Sequence, residues 1–221
     1  MIPAVRSWTR DEMMQRFAFF KDLKGSKTGL PDSDLPECDR ELINVIGFQP
    51  PDNEGDVVSP VGSTAARLSA IPISEGFNLG FARCKPGRGP LLHNHDTNET
   101  FMPITGRWRC AWNEGAEYEF VNVGQCDVVS FPPGVARRFM NVTEGEPDTE
   151  HLLLFVVAGN GPQAEFTHAE VTACLRRPGR NPCNRPCRGN YPAFTRSALA
   201  MLIGCPRRQS RCATPAEDRA C

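Results

Sequence analysis

Between residues 67 and 157 the chain returns, about every ten positions, to a short run of aliphatic, aromatic and β-branched residues. The runs occupy residues 67–73, 77–84, 100–105, 107–112, 118–123, 128–131, 137–142 and 152–157, with an earlier one at 42–46. Turn-forming clusters such as Asn113-Glu114-Gly115 and Thr143-Glu144-Gly145-Glu146-Pro147 separate them. Strands this short cannot bury an apolar face alone, so even spacing predicts two packed sheets or a closed barrel. Nothing between residues 66 and 158 carries a helical period. The chain is therefore expected to be all-β over this stretch.

Inside it lies Gly87-Arg88-Gly89-Pro90-Leu91-Leu92-His93-Asn94-His95-Asp96-Thr97-Asn98-Glu99, closed by Gly106. Side chains alternate along a strand, so His93 and His95 share one face. Glu99 follows by an even step and turns toward the same point once the chain bends through Asp96-Thr97-Asn98. Two neutral imidazoles and a carboxylate form a facial ligand set with coordination positions left open. Only four histidines exist in the chain, and two are here.

Gly87-x5-His93-x-His95-x3-Glu99-x6-Gly106 resembles the first signature motif of the cupin superfamily at every defined position. Pro132-Pro133-Gly134-Val135-Ala136-Arg137-Arg138-Phe139-Met140-Asn141, with Asp127 upstream, resembles the second. The resemblance spans roughly residues 75–158 and implies a cupin-type jelly-roll β-barrel. Cupins carry a third metal-binding histidine in the second motif, and here that position is Arg137. A guanidinium is permanently charged, and about 5 Å from a dication it costs several kcal/mol even at an effective dielectric of 20. Arg137 therefore does not replace the histidine as a ligand. Three arrangements are open: it swings to the barrel mouth, it meets the carboxylate of an anionic substrate, or it neutralises Glu99 and leaves a metal-free site without catalysis.

Imidazole and carboxylate accept Fe(II), Mn(II), Co(II), Ni(II) or Zn(II). The resemblance favours Fe(II) and a non-haem dioxygenase-like enzyme acting on a small anionic or aromatic organic molecule. His93, His95 and Glu99 would hold the metal, and Arg137 would orient a substrate carboxylate. A non-catalytic cupin that binds a small ligand or metal, and a cupin isomerase or lyase, are the alternatives. His151 opens the run Leu152-Leu153-Leu154-Phe155 and is a second-choice third nitrogen, although a histidine after Asp148-Thr149-Glu150 is ordinarily exposed. His168 lies past the last expected strand and is unrelated to the site. Phe101, Ile104, Trp108, Trp112, Phe131 and Phe139 are candidates for an aromatic pocket wall, and equally for ordinary core.

Outside the barrel, Thr9-Arg10-Asp11-Glu12 is a capping box, with Trp8 and Met13 placed as a hydrophobic staple. Met13, Phe17 and Phe20 recur at helical spacing up to the Gly25-Ser26-Lys27 turn, which predicts an amphipathic helix packed across the sheet. Residues 1–65 thus read as a helix and extended arm, and 66–170 as the barrel. Residues 171–221 hold ten arginines, no lysine and two acidic residues, mixed with proline and six of the ten cysteines. Such a segment buries too little apolar surface to order itself, and its composition is that of an out-of-frame reading of GC-rich DNA. It reads as an irregular, frame-shifted or disordered tail.

The overall net charge of −1 offers nothing to nucleic acid or an anionic membrane. No apolar signal segment follows Met1 and no run approaches a membrane span. The expected setting is cytoplasmic, with reduced thiols. Cys38, Cys84, Cys110 and Cys126 lack metal-type spacing and read as buried or half-buried apolar groups. The partner is expected to be a small-molecule substrate. From the resemblance alone, a homodimer that exchanges its N-terminal arms is also expected.

Overall fold

The computed structural model describes residues 2–49 and 58–167. The expected tail, and His168 with it, lie outside the described residues. Eleven strands form two antiparallel sheets facing one another. One sheet combines β1 (Gly25–Ser26), β2 (Glu41–Ile46), β3 (Phe77–Cys84), β5 (Glu99–Pro103), β8 (Val129–Phe131) and β10 (His151–Ala158), in the order β1-β2-β3-β10-β5-β8. The other contains β4 (His93–His95), β6 (Trp108–Trp112), β7 (Glu119–Val123), β9 (Arg137–Asn141) and β11 (Ala164–Phe166), in the order β11-β4-β9-β6-β7. Two packed sheets are what the spacing of the runs predicts, and the jelly roll is what the resemblance implies.

Period-two burial shows why these residues form strands. β10 alternates buried and half-buried residues along all eight positions and β3 does so after an exposed Phe77, the two paired in register from Phe77↔Ala158 to Cys84↔His151. The inward set meets in one core. Phe101 from one sheet sits edge-on to Phe139 from the other, with ring centroids 5.3 Å apart, and Trp108 meets Phe139 at 5.8 Å. The Trp108 indole N–H donates to the Thr105 carbonyl at 2.9 Å, so this fully buried ring leaves no polar atom unpaired. Of the expected pocket-wall aromatics, Phe101, Trp108, Phe131 and Phe139 are buried core, while Ile104 and Trp112 are half-buried.

Two glycines are required by contact. Gly106 has φ +74°, and a Cβ there would lie 2.5 Å from Thr143 Oγ1 and 2.6 Å from the His151 ring. At Gly89 a Cβ would meet the Phe139 carbonyl oxygen at 2.1 Å. That glycine lets the loop before β4 lie against β9, which is how the histidines reach the barrel interior.

Two expectations need correction. Residues 67–73 do not form a strand. They follow the short helix α2 (Gly62–Ala66) and touch the sheet only at Ala70, which donates to the Asn44 carbonyl, and Ile71, in a parallel bridge to Ile46. Pro72 cannot donate to a ladder, which stops the pairing there. Second, the capping box forms as expected, with Glu12 N donating to Thr9 Oγ1 at 3.2 Å and Thr9 N to Glu12 at 2.7 Å. The helix it starts, α1, ends after Arg10–Met14. Met13, Met14 and Phe17 stay exposed, so no burial extends so short a helix. Phe20 alone packs on the barrel, edge-on to Phe81 at 5.5 Å. Trp8 is covered by the Arg6 guanidinium, 3.9 Å above its ring. The segment ahead of the barrel is joined to it, β2 pairing along β3 and β1 along β2.

Candidate metal centre

β4 belongs to the five-stranded sheet and β5 to the six-stranded one, and Asp96-Thr97-Asn98 carries the chain across the gap between them. His93 and His95 point into the barrel from β4 with Asn94 between them half-buried. Glu99 is the first residue of β5 and is likewise buried. Asp96 fixes the bend by accepting the Gln163 N–H at 2.9 Å. The donor atoms of His93, His95 and Glu99 all lie within 4.8 Å of one another. Donors about 2.1 Å from one shared ion lie about 3 Å apart in a facial set, so small side-chain rotations close this group onto an ion.

The ring nitrogens decide what the group can do. His93 Nδ1 lies 2.8 Å from the Leu91 carbonyl oxygen and His95 Nδ1 lies 2.9 Å from that of Gln163. A carbonyl only accepts, so both Nδ1 atoms carry the proton and donate. Both Nε2 atoms are left as lone pairs, the tautomer a metal-binding histidine needs. His95 Nε2 stands 3.2 Å from Glu99 Oε2, yet that oxygen is buried and has no hydrogen-bond partner among the described residues. With both rings neutral, the two imidazoles and the Glu99 carboxylate, their donor atoms within 4.8 Å of one another, fit a divalent cation.

Arg137 opens β9 directly across from His93 and is fully buried. Its Nε donates to the Val135 carbonyl and its Nη2 to that of Pro132, both at 3.0 Å. These bonds turn Nη1 toward Glu99, 3.7 Å from Oε2. It neither swings to the mouth nor lines the cavity beside the ligands; of the three arrangements it takes the one beside Glu99, facing the same carboxylate oxygen as His95 Nε2.

Burial, reinforced by the neighbouring His95, pushes the His93 pKa down to about 4. On His95 burial also opposes charge, but Glu99 outweighs it and the pKa rises above its usual value. Burial would raise the Glu99 pKa, and the facing His95, His93 and Arg137 together hold it below the ordinary range.

His151 overturns the expectation of exposure. It is buried at the start of β10, 3.9 Å from Glu146. It stays outside the ligand group for a topological reason: Glu99 pairs with Val157, six residues further along the same strand, which is about 20 Å at strand rise. Two site residues escaped the sequence reading. Arg40 and Asp32 are buried, and Arg40 lines the cavity with His93, His95 and Glu99. Period two does place Arg40 on the inward face of Leu42, two positions ahead of a strand that was recognised. No local signal marks Gln163 or the short β11.

Two strand-borne histidines, a glutamate across the sheet gap and the second-motif glycine and asparagine thus occupy one closed two-sheet barrel. The fold is the cupin jelly roll. Similar solved structures include a vicilin from hazelnut, Corylus avellana, at 13% identity and TM-score 0.44, covering 66% of this chain and 35% of that one. An oxalate decarboxylase from Lactobacillus farciminis, solved as a formate complex, is similar at 15% identity and TM-score 0.44, covering 70% and 36%. A cupin superfamily protein from Desulfitobacterium hafniense shares 8% identity at TM-score 0.33, covering 39% and 70%. The chain spans about a third of the length of the vicilin and the oxalate decarboxylase. No family model matches the chain, and no curated protein does. Among the described residues, no helix is long and apolar enough to cross a membrane.

Proposed function

We propose that this cupin is a metal-dependent enzyme of the non-haem iron, dioxygenase-like kind, acting on a small organic acid. One observation carries the reading: two buried imidazoles, each held at Nδ1 by a backbone carbonyl, and the buried Glu99 carboxylate bring their donor atoms within 4.8 Å of one another. His93, His95 and Glu99 would hold the ion, with Fe(II) favoured and Mn(II), Co(II), Ni(II) or Zn(II) accepted by the same donors. Such an ion supplies Lewis-acid polarisation at its open positions and, if redox-active, electron transfer to dioxygen.

The protein's own residues supply the rest. The Leu91 and Gln163 carbonyls fix both imidazole tautomers, and Arg137 keeps Glu99 ionised. Phe139, Phe155 and Phe166 keep water from the cavity wall. The cavity beside the ligands measures about 20 Å³, enough for one or two water-sized groups. A small aliphatic acid suits it better than an aromatic ring. The setting we propose is the cytoplasm, with no nucleic-acid or membrane partner. Buried free Cys38, Cys84 and Cys110, their thiols pushed up to about 12 chiefly by burial, are in keeping with a reducing compartment.

The test is metal analysis of protein purified without chelator and then loaded anaerobically with Fe(II). Oxygen uptake with small oxo-acids and carboxylated phenols follows. One equivalent of iron and acid-dependent uptake are expected; absence of bound metal after loading refutes the reading. Turnover without oxygen uptake would instead identify a cupin isomerase or lyase. The guanidinium 3.7 Å from Glu99 favours one second reading, a non-catalytic cupin that binds a small anion.

A further inference from the structure

The wall of the cavity facing the ligands is built by the segment ahead of β2. Arg40 lies there beside Leu42, and only 5% of it is exposed. Its Nη1 donates to the Cys38 carbonyl at 2.9 Å and its Nη2 to Asp32 Oδ1 at 3.0 Å. Asp32 Oδ2 accepts the Leu91 N–H at 3.1 Å, and the Leu91 carbonyl accepts the His93 Nδ1–H. A single chain of bonds thus runs from Arg40 to a ligand histidine. Two of the five guanidinium N–H groups take part in these bonds, so the fork can hold a further acceptor from the cavity without releasing Asp32.

Charge indicates what that acceptor is. Arg137 balances Glu99 and Arg40 balances Asp32, while the two imidazoles bind metal as neutral bases. A dication therefore leaves the pocket two positive charges in excess, in a space of about 20 Å³. An anionic ligand offsets that excess; a neutral one does not. Arg137 is shut out of the cavity by its two carbonyl tethers.

We propose that Arg40 is the substrate-orienting residue of this pocket, recognising the carboxylate of a small organic acid. The proposal rests on the metal-site reading above. A bidentate guanidinium–carboxylate pair fixes orientation as well as attraction, so Arg40 is also the residue that discriminates acid from amide.

The test uses Co(II), whose visible bands report coordination, and acetate with its neutral isostere acetamide as probes. The variant is Asp32→Asn combined with Arg40→Met, which removes both buried charges together and leaves neither unpaired. With Co(II) at saturating concentration for each protein, acetate affinity weakened at least tenfold and acetamide affinity unchanged are expected. Equal acetate affinity in wild type and variant overturns the proposal and leaves Arg40 a structural tether. Arg40→Lys keeps the ion pair and removes the fork; an acetate affinity intermediate between the two supports the proposal, and wild-type affinity overturns it. Should wild type bind no Co(II), the metal reading itself has failed. Arg40 is then read in the metal-free protein: an acetate-dependent rise in Tm abolished by the variants supports it, and a rise that is absent or unaltered overturns it.

Discussion

Removing the Arg137 charge should tighten metal binding while weakening the metal-free fold. Its Nη1 lies 3.7 Å from Glu99 Oε2, and an ion sits about 2.1 Å from a carboxylate oxygen. Guanidinium and ion are therefore about 5 Å apart. At an effective dielectric of 20 the repulsion is about 3 kcal/mol per unit charge and about 7 kcal/mol for a dication. Even a quarter of that exceeds the ~1.4 kcal/mol that changes Kd tenfold. Arg137→Met should thus lower the Zn(II) or Co(II) Kd at least tenfold in competition with a chromophoric chelator. Arg137→His, directly across from His93, adds a donor and should lower it further. Without metal the same variants leave Glu99 without its permanent counter-charge, a loss of about 3–5 kcal/mol for a broken buried pair. The urea midpoint of the metal-free variants should fall and recover on adding metal. Kd values within threefold of wild type in both variants would refute the electrostatic reasoning. Metal binding only by Arg137→His would favour the non-catalytic reading.

His93 gives a pH signature in the metal-free protein. Its folded pKa of about 4 lies below the ordinary ~6.5, so its contribution is complete above pH ~6.5 and lost as pH falls toward 4, about 3 kcal/mol in all. His95, raised, runs the other way, stabilising at low pH and losing that effect as pH rises through its folded pKa. Urea denaturation of wild type and His93→Phe at pH 7 and pH 4.5 isolates the first effect; equal losses on acidification would contradict it. Gly89→Ala forces a Cβ to 2.1 Å from a backbone oxygen. It should cost about 1–3 kcal/mol and weaken metal binding at least tenfold by displacing His93; wild-type affinity at reduced stability would show that the loop does not position it. Phe101→Ala, fully buried against Phe131 and Phe139, should cost about 3–5 kcal/mol without altering metal affinity, measured by calorimetric unfolding and the same chelator assay.

Much of this protein was legible in its order of residues alone. Alternation and turn spacing located eight barrel strands to within a residue or two, because each such run must hide one face and expose the other. His-x-His fixed a shared face, which follows from a period of two, whereas Glu99 meets that face only because Asp96-Thr97-Asn98 carries the chain to the opposite sheet. The capping box formed where its residues stand, being local. Interactions set by distant partners were not legible. The helix beyond Met14 depended on a surface to pack against. His151 was buried by Gly106 and Thr143, which lie near it only in the folded barrel. The direction of Arg137 was chosen by two carbonyls that β9 geometry supplies. Arg40, the cavity and the tautomers of both histidines arise where the segment ahead of β2, the loop before β4 and β11 converge. Sequence therefore determined which residues face inward, because that is a property of one strand at a time. Tertiary structure decided which of them meet, because that depends on how two sheets close over each other.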